Sequence, residues 1–110
     1  MKLSCTGCPT DLHRFWDEVP GTDERVSASM SAARLLPPVD PTEAAIKDEA
    51  MWIDESFRIA QESVYEEPIG NGTGPFALTS NYRNTAKRVA LARTALAAAR
   101  LANMLNSELK

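Results

Sequence analysis

The stretch NYRNTAKRVALARTALAAARLANMLN, residues 81–106, decides the fold class. Tyr82, Ala86, Val89, Ala90, Leu96, Ala97, Leu101, Met104 and Leu105 recur at three- and four-residue spacing, the period of a helix and not of a strand. Thr79 or Ser80 stands ready to cap this helix, which the spacing carries to about Asn106. Its alanine-rich centre (Ala95, Ala97, Ala98, Ala99) leaves room for a neighbour to approach closely.

The same period runs upstream. Asp40 is a good cap, Pro41 suits the first helical position, and Glu43 completes a capping box. The helix that starts there is predicted to reach about Tyr65 and to bury some of Ile46, Ala50, Met51, Ile53, Phe57, Ala60 and Val64. Glu66-Glu67-Pro68 and the loop IGNGTGPF, residues 69–76, then interrupt. Asn71-Gly72-Thr73 fits a glycosylation sequon, although Asn-Gly in such a loop is first of all turn chemistry. Thr22 can cap a shorter helix to about Leu36, stopped by Pro37-Pro38. Leu12, Phe15, Trp16 and Val19 form one apolar face of a first short helix, ended by Pro20-Gly21. No strand pattern or repeat is visible, so the class is all-α and multihelical, in at most one domain of 110 residues.

Composition narrows the function classes. With 44% hydrophobic and 25% charged residues the chain reads as globular, neither disordered nor collagenous. No apolar run approaches the roughly 18 residues of a spanning helix. The start, MKLSCTGCPT, has no apolar run fit for a signal peptide. The net charge of −3 hides a division: acids dominate from Asp40 to Glu67, bases from Ser80 onward. The basic end could meet phosphates. The simpler reading is an acidic and a basic helix lying side by side, because the bases spread around their helix instead of forming a stripe.

His13 is the only histidine, and Asp17 follows it by one helical turn, so both side chains share a face. Each lies one residue past Leu12 or Trp16, at the rim of the apolar face, where a cleft would open. Imidazole nitrogen and carboxylate oxygen both suit zinc. A surface ion pair explains the spacing as well, and two donors do not complete a site that needs three or four. Cys5 and Cys8 could bind zinc, carry redox chemistry, close a small disulfide, or be an incidental thiol pair. With His13 and Asp17 they would supply four donors to a small helical zinc-binding or interaction module. Trp52 reads as core, and the carboxylates around it, Glu55 included, as solvated. Nothing marks a nucleophilic serine, and GNGTG lacks the lysine and strand–helix context of a phosphate loop.

TDLHRFWD, residues 10–17, resembles the Asn-Leu-His-x-x-Trp-Asp segment of the S1/P1 family of zinc-dependent nucleases, the mung bean nuclease type. MWIDESFRIAQESVY, residues 51–65, is similar to that family's Trp-x-x-Glu-Ser helix ending in Val-Tyr. Residues 81–106 resemble its last helix, with a tyrosine near the start and an Arg-Leu-Ala-x-x-Leu-Asn finish. The likeness spans nearly the whole chain. Asp11 departs from the usual asparagine, and Ala98 from the usual glycine.

The resemblance implies the phospholipase C/nuclease-like helical fold, with residues 1–110 as its C-terminal portion and an upstream portion outside them. It maps His13 and Asp17 onto two ligands of one zinc in a three-zinc cluster, with a further histidine supplied from upstream. Such clusters hydrolyse phosphodiester bonds in single-stranded DNA and RNA and remove 3′-phosphates. Trp16, packed inward, would set where the pair points. The resemblance also implies export to the periplasm or outside the cell. Isolated, the chain is expected to be inactive or nearly so. Apolar surface left uncovered should favour self-association, or association with the N-terminal half. A purely structural helical domain without metal is the third reading.

Overall fold

The computed structural model describes residues 1–5, 8–70, 72 and 74–109. Asn71 and Thr73, on which the sequon reading rests, lie outside the described residues, as does Lys110. The elements are α1 (Leu12–Glu18), α2 (Val26–Arg34), α3 (Pro41–Ala44), α4 (Glu49–Ile59), which continues into a π-helical turn (Ala60–Val64), and α5 (Ser80–Glu108). Among the described residues, extended pairing is confined to two isolated bridges, Lys2 with Asp11 and Leu3 with Phe76. The fold is all-α.

Helix α5 is the spine, 29 residues long, or about 43 Å. Of its two candidate caps, Thr79 serves: its hydroxyl accepts the Tyr82 N–H at 3.0 Å. The first half buries Tyr82 and Ala86 against Leu12 and Phe15 of α1 and against Ile69 and Leu78 of the loop. Leu3, Trp16, Val64 and Phe76 close around this cluster.

The helix expected from Asp40 to Tyr65 is instead two helices and a π turn. Asp40 caps as expected, accepting the Thr42 N–H at 2.8 Å, but α3 ends after one turn. Asp48 then opens α4 as a second cap, accepting the Ala50 N–H at 2.9 Å. Two carbonyls exposed by the break are taken by donors on α5, Glu43 by the Arg100 guanidinium (3.0 Å) and Ala44 by the Asn103 amide (3.1 Å), and the Ile46 carbonyl is taken locally by the Trp52 indole (2.8 Å). A helix end so satisfied costs little, and the break lets α3 dock on α5.

The burial expected of α4 also fails. Ala50, Met51, Ile53 and Phe57 are exposed, and only Ile46, Ala60 and Val64 are partly covered. Nor does Thr22 cap α2. Asp23 instead ties down the N–H and guanidinium of Arg25, so the helix starts at Val26, and no residue of it is buried.

Residues 1–5 and 8–11 are tied to Phe76 and to the start of α1 by backbone bonds. Leu12 N–H donates to the Met1 carbonyl (2.8 Å), Ser4 N–H to Phe76 (2.8 Å) and Phe76 N–H to Lys2 (2.9 Å). Gly74 makes this approach possible. Its φ is +84°, and a Cβ there would lie 2.8 Å from the Lys2 carbonyl oxygen. The molecule is a slab of 50 × 34 × 18 Å with a radius of gyration of 15.8 Å, against about 13 Å for a compact domain of this length.

Candidate metal site

Helix α1 positions the candidate pair. Its N-cap is Asp11, whose carboxylate accepts the Arg14 N–H at 2.8 Å. An aspartate caps a helix there as well as an asparagine would. Leu12 and Phe15 anchor the inner face in the core. Trp16 sets the helix's rotation: its indole N–H donates to the Tyr82 hydroxyl at 3.1 Å, and that hydroxyl donates to the Val64 carbonyl at 2.7 Å. The three rings of Phe15, Trp16 and Tyr82 meet at about 6 Å, in edge-on or tilted contacts. Burial pushes the Tyr82 phenol up from its ordinary value of 10.0, so the hydroxyl stays a donor.

With Leu12 and Trp16 facing inward, His13 and Asp17 stand on the rim. His13 Nε2 lies 3.2 Å from Asp17 Oδ2, the side chains being 90% and 65% exposed. They border a groove of ≈ 350 Å³ shared with Met1, Trp16, Val64 and Tyr65. The π turn shapes the far wall. Tyr65 N–H reaches back five residues to the Ala60 carbonyl (3.0 Å), and the widened turn presents the Val64 carbonyl to Tyr82.

The donor chemistry of the pair fits one edge of a zinc site and no more. Among the described residues no group of three or more His, Cys, Asp or Glu stands together. Cys5 and Cys8 are joined as a disulfide, so neither offers a thiolate. With its two sulfurs bonded to each other, the four-donor module has only His13 and Asp17 to offer in this structure.

The reading of Glu55 is corrected as well, while Trp52 keeps the structural role read for it. Glu55 is not solvated but accepts from both Arg100 (2.8 and 3.0 Å) and Arg93 (3.0 Å), while Arg93 also donates to Ser56. Arg100 is buried, its guanidinium 5.3 Å from the Trp52 ring centre. The Arg100 hydrogen bonds, and then those of Arg93, hold the Glu55 carboxyl below its ordinary value of 4.5 against the opposing effect of burial. Here the acidic and basic segments do lie side by side, and the cluster is structural. Sequence reading missed Arg100 because a charged residue inside an apolar helical pattern reads as surface. Tyr82 was read only as an apolar position, though a tyrosine has a polar tip that needs a partner when buried.

The fold is thus all-α, and its candidate site is a rim histidine–carboxylate pair braced from behind by a tryptophan and a tyrosine. The sequence model of the S1/P1 nuclease family matches residues 1–110, and the chain belongs to that family. Neither the curated proteins nor the solved structures include a match to it. No helix of the described residues is long and apolar enough to cross a membrane.

Proposed function

We propose that the chain contributes His13 and Asp17 as one edge of a zinc centre that hydrolyses phosphodiester bonds in single-stranded DNA and RNA, with the remaining ligands supplied from outside these residues. The observation that carries this reading is the pair itself: two zinc-compatible donors 3.2 Å apart on a braced helix, opening on a groove, in a chain of the nuclease family. Zinc held by His13 and Asp17 would supply positive charge toward a phosphate and Lewis acidity for water activation. The chain's own part is positional. Leu12, Phe15 and Trp16 hold α1 by its inner face, the Tyr82 hydroxyl locks the Trp16 indole, and the donors point outward into the groove. With two ligands only, zinc binding is weak and cleavage by the isolated chain negligible. Export, as in the family generally, belongs to the same proposal.

Zinc competition with a chromophoric chelator, run beside a single-strand cleavage assay, tests it. The expected result is weak zinc binding abolished by His13→Ala or Asp17→Ala, unaffected by the Cys5→Ser, Cys8→Ser double variant, and no cleavage. Binding that depends on the cysteines, or robust cleavage by the metal-loaded chain, would overturn it.

A further inference from the structure

The nuclease reading leaves the Cys5–Cys8 pair without a task, and its surroundings are not those of an inert crosslink. Both cysteines are half-buried at the edge of the core. The Arg83 guanidinium, in the first turns of α5, sits 2.7 Å from Cys8 Sγ. Among the described residues Arg83 has no carboxylate within ion-pair distance. A partly buried cation thus rests on one sulfur of the pair. The Cys8 N–H donates to the Cys5 carbonyl at 3.2 Å, and the Ser4 N–H is tied to Phe76, so the two cysteines are held near each other by backbone bonds as well as by the disulfide.

We infer that Cys5–Cys8 is a thiol-exchange site with a fixed polarity: a small-molecule thiol attacks Cys5, and Cys8 leaves as a thiolate stabilised by Arg83. In the first step the incoming thiolate sulfur bonds to Cys5 Sγ, the Cys5–Cys8 bond breaks, and its electron pair stays on Cys8 Sγ beside the guanidinium. A second thiolate then attacks the small-molecule sulfur of the mixed disulfide. The Cys5 thiolate is released and takes a proton from water, and the two small thiols depart as their own disulfide. The pair is reduced by two electrons and the small thiols are oxidised by two. A stabilised leaving sulfur speeds exchange and decides which sulfur is attacked. The Cys8 N–H to Cys5 carbonyl bond keeps the cysteines together for reclosure.

The test exposes the full chain to reduced glutathione, traps the freed thiol with iodoacetamide, and maps both modifications by mass spectrometry. The expected product carries glutathione on Cys5 and the alkyl group on Cys8. Arg83→Gln should slow adduct formation on the order of tenfold, whereas Arg83→Lys, which keeps the charge, should stay near the unsubstituted rate. Glutathione found on Cys8, or on both cysteines equally, overturns the assignment. So does an unchanged rate in Arg83→Gln with its helical circular dichroism intact. If Arg83→Gln does not fold, the adduct map of the unsubstituted chain and of Arg83→Lys decides alone.

Discussion

Removing the Tyr82 hydroxyl would leave the Trp16 indole N–H and the Val64 carbonyl without their partner, two groups on two different elements. Tyr82→Phe is therefore expected to destabilise the chain by about 1–3 kcal/mol, read from denaturant midpoints. It should also weaken zinc binding although it touches no donor, because α1 loses the contact that sets its rotation. At this scale the sequence was informative where chemistry is local. His13 and Asp17 stand one helical turn apart and meet at the expected register. It was silent on what the Tyr82 hydroxyl meets, its partners being 66 and 18 residues away. Periodicity records that a residue is buried, not what its polar atom will find.

Between elements, the Glu55–Arg100–Arg93 cluster joins α4 to α5. Glu55→Gln leaves the buried Arg100 charge short of its counter-ion and should cost about 3 kcal/mol. The same cluster makes stability depend on pH with a definite sign. The Glu55 carboxyl is held below its ordinary 4.5 in the folded chain. Its contribution is full above that value and is lost as pH falls from there through the lowered folded value. Denaturant midpoints measured down this range should fall for the native chain and fall less for Glu55→Gln. The break between α3 and α4 belongs to this scale too. Asp48 reads from the sequence as an unremarkable helix-surface acid. Only the approach of Arg100 and Asn103 to the Glu43 and Ala44 carbonyls makes its use as a second cap worthwhile. The helical class was legible because period alone decides it, whereas the break rests on contacts more than fifty residues apart in sequence.

Across the whole molecule, more large apolar side chains are exposed than buried among the described residues. Ile53 and Phe57 lie one turn apart on α4, and Leu101, Met104 and Leu105 line the end of α5. A slab 18 Å thick cannot enclose them. In a purified solution a second copy is the apolar surface available to cover these side chains. Light scattering should show mass rising with concentration, and Phe57→Ser should lower it; a monomer at every concentration would contradict this. The alanine centre of α5 and the apolar period of α4 announced faces that pack, but the sequence could not show which of them this chain itself covers.

The central claim is that His13 and Asp17 together hold zinc, and the chain's single histidine makes it directly measurable. Imidazole resonances recorded during a zinc titration report on His13 without assignment. The account predicts that they shift with zinc and not with magnesium, and that Asp17→Asn weakens the response on the order of tenfold. Resonances unmoved by millimolar zinc, or a response indifferent to Asp17, would contradict it.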